Sequence, residues 1–183
     1  LADRRLADAL ATLPEAAARQ ANWSAPLRAE WRRVAALSDF VVEQFCRLPE
    51  PCLALVDSGD LELSLAPGAM AQRLREALAD CPDEAELGRR LRRFRMLQQV
   101  RIVWRDLTRR ADLVETCRDL SDLADACIDQ ACAWLYAQQC SQFGVPTGRH
   151  SGQPQQLVVL GMGKLGAGEL NLSSDIDLIF AYG

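Results

Sequence analysis

A single histidine, His150, and seven cysteines without one Cys-x-x-Cys pair leave this 183-residue sequence without the spacing of a zinc site. Cys46, Cys52, Cys81, Cys117, Cys127, Cys132 and Cys140 are odd in number, and the economical expectation is reduced thiols in a cytoplasmic protein. Four of them fall at helical spacing between residues 117 and 140, which predicts small core residues. No apolar run approaches the ~20 residues of a membrane span. The charged start, Leu-Ala-Asp-Arg-Arg, has no apolar stretch of the kind a secretory signal needs. A first residue other than Met, and a last residue directly after a strand-like run, fit a piece of a longer chain. With 21 basic and 25 acidic side chains the net charge is −4, so a surface built throughout for nucleic acid is not expected. Neither nucleic acid nor membrane is an expected partner. Apolar residues at 49% and charged ones at 25% exclude disorder, collagen-like repetition and a disulfide scaffold. The length suits one domain, or one and part of a second.

Glycine is scarce in most of the chain. Only Gly59, Gly68 and Gly88 precede residue 144, and the other eight of the 11 follow from there. The Leu- and Ala-rich first part therefore favours helix. Helices are expected over 3–13, over 27–48 with a kink or restart at Ser38 and Asp39, and over 51–57, 69–79, 83–107 and 112–142. Leu61, Leu63 and Leu65 alternate too briefly for a strand. Phe143 to Gln156, with Gly144, Pro146, Gly148, Gly152 and Pro154, reads as a linker or exposed loop. The organisation expected is a helical region over 1–150 and a different element over 151–183.

The helix over 83–107 repeats Leu87, Leu91, Phe94, Leu97, Val100, Val103, Trp104 and Leu107 along one face, opposite Arg89, Arg90, Arg92, Arg93, Arg95, Arg101 and Arg105. Arg109 and Arg110 follow. Such a cluster could bind an anion, but charge runs on amphipathic helices are usually solvated, and that is the reading preferred. The next helix has the apolar stripe Leu113, Cys117, Leu120, Ala124, Cys127, Ala131 and Trp134. Its acidic residues Asp112, Glu115, Asp119, Asp122 and Asp129 are expected to face solvent.

The chemistry is concentrated after Gln156. Leu157–Leu160 is a continuous apolar run, as in a strand buried on both faces. Gly161 and Gly163 follow, and Lys164 opens a short helix. Residues 175–182 read as a second strand whose alternation puts Ile176, Leu178 and Phe180 on one face and Asp175 and Asp177 on the other. Two carboxylates at i and i+2 repel each other unless a divalent cation sits between them. Two metals ~3.5–4 Å apart are a recurrent device for displacement at phosphorus. Glycines let backbone N–H groups approach phosphate oxygens, and Ser173 and Ser174 add hydroxyls. Lys164, the one lysine beside 20 arginines, is either a phosphate-binding ammonium or a solvated helix-start residue.

Strand, Gly-x-Gly, short helix and Ser-Asp-x-Asp on a second strand, with 11 residues between Gly163 and Asp175, is the layout of the polymerase-β-like nucleotidyltransferases. The block Gly161-Met-Gly-Lys-Leu-Gly-Ala-Gly-Glu-Leu-Asn-Leu-Ser-Ser-Asp-Ile-Asp-Leu-Ile-Phe180 resembles the motif of the bacterial bifunctional glutamine synthetase adenylyltransferase/adenylyl-removing enzymes. So do Ser38-Asp39-Phe40-Val41, Leu91-Arg-Arg-Phe-Arg95, Arg101-Ile-Val-Trp-Arg-Asp-Leu107 and Leu120-Ser-Asp-Leu-Ala-Asp-Ala-Cys-Ile-Asp129. The resemblance thus runs from about residue 38 to the end. Ala167 departs from it, standing where the family more often has glycine; the change is mild on helical backbone and disruptive at positive φ.

The resemblance implies a mainly α-helical region followed by the truncated start of an α/β (α+β) nucleotidyltransferase domain, in the amino-terminal of two tandem copies. It implies that Asp175 and Asp177 bind Mg²⁺ or Mn²⁺, while Gly161, Gly163, Lys164, Ser173 and Ser174 shape a pocket for phosphate and nucleotide (ATP or ADP). In that copy phosphate attacks AMP-tyrosine on glutamine synthetase and releases ADP; the other copy adds AMP from ATP. Glutamine and a PII-type signal protein are the implied regulators. A third carboxylate on a later strand is implied beyond Gly183, so this piece alone is expected to be inactive. The alternatives are the adenylylating direction, a PII uridylyltransferase, or a non-catalytic helical docking module.

Overall fold

The computed structural model describes residues 2–11 and 13–182. Thr12, inside the first expected helix, and Leu1 and Gly183, at the limits of the two expected regions, lie outside the described residues. The described residues are mainly helical, with one two-stranded sheet among them. In order the elements are α1 (Ala2–Leu10), α2 (Pro14–Ala21), α3 (Ala25–Leu37), α4 (Asp39–Arg47), α5 (Pro49–Asp57), α6 (Ala69–Ala77), α7 (Glu84–Leu107), α8 (Leu113–Phe143), β1 (Val158–Gly161), α9 (Gly163–Gly166) and β2 (Leu178–Ala181). Among the described residues no helix is long and apolar enough to cross a membrane. Two compact units divide the chain: one takes in residues up to Ser64 with Arg95–Thr116, the other Leu65–Phe94 with Cys117 onward.

Local chemistry explains most helix boundaries. Ser24 accepts the Leu27 N–H at 3.3 Å and starts α3. Ser38 supplies the restart: its N–H closes α3 on the Val34 carbonyl at 2.9 Å, while its Oγ accepts the Val41 N–H at 3.3 Å to open α4. Asp83 caps α7 through the Glu86 N–H at 2.7 Å, and Asp112 caps α8 through the Glu115 N–H at 2.8 Å. Pro14 opens α2, a helix absent from the expected pattern, in the first-turn position where its missing N–H costs nothing. Leu61, Leu63 and Leu65 form no strand.

The first unit is built round aromatic rings. Trp31, Phe45 and Trp104 lie mutually within 4.9–6.3 Å, and Trp23 meets Trp31 and Phe45 edge-on at 5.9 and 6.4 Å. Leu6, Leu10, Val34, Val41, Leu53, Val100 and Val103 complete this core. The indole of Trp31 donates to Asp3 Oδ1 at 2.7 Å, so its polar tip is satisfied.

Arg101 and Arg105 overturn the expected solvated arginine face, being 0% and 1% exposed. The turn that follows α5 runs beside α7 and needs donors for its carbonyls. Arg105 donates to the Leu61 carbonyl at 3.0 Å and to Ser64 Oγ at 3.2 Å, and pairs with Glu115 at 2.7 Å. Arg101 donates to the Leu63 carbonyl. Arg110 joins Glu30, at 2.7 and 2.8 Å, to Glu62, at 2.7 Å. Arg89, Arg92, Arg93, Arg95 and Arg109 are exposed as expected.

The second unit contains α6, the first part of α7, most of α8, and the sheet. Leu87, Leu120, Leu123, Ala126, Leu165 and Leu170 are buried there. Asp119 is buried beside Arg118, at 3.2 Å, against the expectation that the acidic residues of α8 face solvent. Burial first, and the neighbouring carboxylates second, push the Asp122 and Asp125 carboxyls upward. Leu113, placed in the apolar stripe by its spacing, is exposed. All seven cysteines are free thiols. Only Cys52 is fully buried; the four on α8 are half-buried.

Two measurements test this packing. Replacing Trp31 by Ala removes the ring that touches three others and is expected to cost about 3–5 kcal/mol in urea unfolding. Burial pushes the Cys52 thiol from its ordinary value of 9.0 up to about 12. The unfolded chain loses this proton first, so Cys52 contributes full stability below about pH 9 and loses about 1.4 kcal/mol per pH unit above it. Urea titrations at pH 8, 9 and 10.5 should show the gap between wild type and Cys52→Ala narrowing above pH 9.

Candidate functional site

The glycine-rich block forms a strand, a glycine turn, a short helix and a second strand. β1 pairs antiparallel with β2 in the register Val158↔Ala181 to Gly161↔Leu178. Gly163 has φ +56°, which turns the chain out of β1 into α9. Gly166 lies so close to the end of β1 that a Cβ on it would stand 2.4 Å from the Gly161 carbonyl oxygen. A side chain there would collide with backbone.

α9 closes in a Schellman motif. The Gly168 N–H donates to Leu165 at 2.9 Å and the Glu169 N–H to Lys164 at 2.8 Å. Gly168, at φ +70°, takes the left-handed position this ending demands. Ala167 sits one residue earlier at φ −87°, ψ −8°, in right-handed helical backbone. The departure at Ala167 is therefore the mild kind.

The expected strand over 175–182 begins only at Leu178, so its alternation does not place Asp175 and Asp177. The cause is the shortness of β1: once Gly163 has turned the chain, residues 175 and 176 have no strand to pair with among the described residues, and Asp177 keeps a single backbone bond. Both aspartates lie in irregular chain and both are exposed. The expectation that β1 is buried on both faces also fails. Val158 and Leu160 are about half exposed, because among the described residues only β2 pairs with β1 and its faces are uncovered. Ile176 and Phe180 are likewise exposed.

What the structure does bring together is the glycine turn and the Asp-x-Asp segment. The Met162 N–H donates to the Asp177 carbonyl at 2.9 Å, one residue past the Gly161↔Leu178 pair. Gly161 and Gly163, which flank Met162 in the chain, are thus brought near Asp177. Lys164 is exposed in the first turn of α9, and Ser173 is exposed.

Ser173 and Ser174 belong to a small turn organised by Asn171, a residue the sequence pattern did not single out. Ser174 Oγ donates to Asn171 Oδ1 at 2.6 Å and accepts the Asn171 N–H at 3.3 Å, while the Ser174 N–H reaches the Asn171 carbonyl at 3.1 Å. Ser173 Oγ donates to the same Oδ1 at 3.4 Å. An Asn three residues before a serine, after a helix ending, is a signal for such a turn.

Neither the Asp175 nor the Asp177 carboxylate has a hydrogen-bond or ion-pair partner among the described residues, so no arginine neutralises the pair. Their oxygens are the hard donors that Mg²⁺ and Mn²⁺ prefer, and Mg²⁺ is commonly held by one or two carboxylates with water and substrate phosphates. The donor set fits such an ion. Among the described residues no group of three or more His, Cys, Asp or Glu side chains stands ready to hold a metal.

The chain matches the glutamate-ammonia ligase adenylyltransferase family over residues 29–183. It belongs to that family. It is 62% identical over 178 residues to the bifunctional glutamine synthetase adenylyltransferase/adenylyl-removing enzyme of Pseudomonas aeruginosa, covering 97% of this chain and 18% of that protein. The proteins of the same name from Pseudomonas syringae pv. tomato and Nitrosococcus oceani are 61% and 51% identical over 168 and 145 residues. Those matches cover 92% and 79% of this chain, and 17% and 15% of the respective proteins. The chain therefore spans less than a fifth of the length of these adenylyltransferase relatives.

The glycine geometry predicts opposite outcomes for adjacent substitutions. Gly166→Ala should destabilise the β1–α9 turn by about 1–3 kcal/mol, whereas Ala167→Gly should cost at most about 1 kcal/mol. Amide hydrogen exchange across residues 162–169 checks both: exchange should accelerate at least tenfold in the first variant and by much less in the second.

Proposed function

We propose that this chain carries part of a nucleotidyltransferase site acting on AMP attached to a tyrosine of glutamine synthetase. The observation that supports it is the Met162–Asp177 backbone hydrogen bond, which sets the Gly-x-Gly turn against an Asp-x-Asp pair with no protein counter-charge. The relatives' names supply the substrate class. The nucleotidyltransferase fold, as distinct from the strand–turn–helix–strand core described above, is part of this proposal, as is the division into a helical region over 1–150 and the start of that domain over 151–183.

Asp175 and Asp177 would hold Mg²⁺ or Mn²⁺, which when bound offsets negative charge on the reacting phosphates. Gly163, with open space where a Cβ would stand, leaves room for phosphate oxygens near the backbone beside Gly161, Lys164 offers an ammonium to the same anion, and the Asn171–Ser174 turn fixes the approach to Asp175. Alignment of two reactants in this setting is a large part of the rate.

In the removing direction, favoured here, a phosphate oxygen forms a bond to the AMP phosphorus. The phosphorus–oxygen bond to tyrosine breaks, the phenolic oxygen takes up a proton, and the products are ADP and unmodified tyrosine. Addition of AMP from ATP, which the resemblance assigns to the other copy, is the same class of chemistry on different substrates. Regulation by glutamine and a PII-type protein, and a cytoplasmic setting, complete the proposal.

In a full-length family protein carrying this segment, Asp175→Asn should lower release of ADP from adenylylated glutamine synthetase by roughly 10²–10³-fold, the scale of losing one charge-stabilising group. Chelation of divalent ions should abolish the same signal. Wild-type rates in the variant would defeat the assignment.

A further inference from the structure

The motif Leu120-Ser-Asp-Leu-Ala-Asp-Ala-Cys-Ile-Asp129 lies on α8, some 50 residues before the aspartates, and the proposed chemistry gives it no part. The structure gives it one. Ser121 is 4% exposed, and its hydroxyl makes two hydrogen bonds. It donates to the Cys117 carbonyl one helical turn back at 2.8 Å, and it accepts the Leu170 backbone N–H at 3.2 Å.

Leu170 is the residue between two self-contained pieces of the site. Before it stands the Schellman ending of α9, with Gly168 and Glu169 bonded back to Leu165 and Lys164. After it stands the Asn171–Ser174 turn, which leads directly into Asp175. Leu170 is buried at this junction, at 7%, as is Leu165 within α9, at 5%. A side-chain acceptor on α8 therefore fixes the one backbone amide at which helix ending and serine turn meet. Its proton donation to Cys117 orients the lone pair that Leu170 uses.

A second clasp works on the other flank. Tyr136, also on α8, donates its hydroxyl to the Gln155 carbonyl at 3.0 Å, shortly before β1. The strand–turn–helix block is thus tied to one rigid helix at both ends, and the tie nearer the aspartates is the buried one.

We propose that Ser121 is a positioning residue for the Asp175/Asp177 pair, acting through the Leu170 amide to hold the segment 170–177 in the geometry that binds the divalent ion. This rests on the reading of Asp175 and Asp177 as the metal-binding pair.

The test uses a full-length family protein carrying this segment, with Mn²⁺ as the probe. Ser121→Ala should weaken Mn²⁺ binding and lower kcat by about 10–100-fold, the range found for residues that orient a metal ligand. KM for adenylylated glutamine synthetase should stay unchanged. Hydrogen exchange at Leu170 should accelerate at least tenfold. Ser121→Thr, which keeps the hydroxyl, should restore all three towards wild type. Where Ser121→Ala fails to fold by circular dichroism, Ser121→Cys keeps the volume with a weaker acceptor and carries the same expectations with smaller losses.

Wild-type Mn²⁺ affinity and kcat in the folded Ser121 variants, with Asp175→Asn inactive, would overturn the positioning role and leave the aspartate reading intact. Full activity in Asp175→Asn would instead overturn the aspartate reading, and this inference with it.

Discussion

The glycine-rich segment at the end of this chain depends on one backbone hydrogen bond, from the Met162 N–H to the Asp177 carbonyl at 2.9 Å. Two segments separated by a helix and two turns meet there, and three glycines of the block serve that meeting. Gly163 turns the chain at positive φ, Gly166 lets it pass the Gly161 carbonyl without a Cβ, and Gly168 ends α9 in the left-handed region. A larger residue at any of these places would change the path between Met162 and Asp177. The aspartates are therefore placed by backbone geometry upstream of them, rather than by side-chain contacts of their own.

The helical half obeys a different constraint, the need to satisfy carbonyl groups in a turn that packs beside a helix. An unpaired buried carbonyl or guanidinium is costly, whereas a charge-assisted pair in good geometry is tolerated. Arg101 and Arg105 meet that need for Leu61 and Leu63, and Glu115 compensates the charge of Arg105. The left-handed Arg109 at the end of α7, with φ +61°, lets Arg110 return its N–H to the Arg105 carbonyl at 2.8 Å. That turn delivers the Arg110 side chain to Glu30 and Glu62. An arginine-rich helix face thus works in part as internal scaffolding.

This division explains what could be read in advance. Helix spacing and the break at Ser38 act within a few residues, so the pattern revealed them. The burial of Arg101 and Arg105 was not legible, because periodicity says which face a residue is on but not whether a distant turn covers that face. Pro14–Ala21 escaped for a related reason: a proline that bars one helix from continuing can equally open the next. In the site, the glycines, the short helix after Gly163 and the second strand were visible in outline. The extent of that strand was not. Alternation within 175–182 is satisfied on paper, but a strand needs a ladder partner, and β1 has already turned away.

A two-stranded ribbon with exposed faces is marginal in water by itself, so β1 and β2 must draw their order from elsewhere in their unit. Val158, Leu160, Ile179 and Phe180 are all about half exposed and contribute little burial. What is buried is Leu165 and Leu170, on the connection between the strands, and what is clasped is Leu170 and Gln155, both by side chains of α8. The order of the sheet therefore comes from its connection and from α8, rather than from sheet packing. In such an arrangement the largely exposed run from Ser173 to Asp177 inherits its position from the buried connection, and under the proposed positioning role a change on α8 would be felt at the carboxylates before it was felt in the strands.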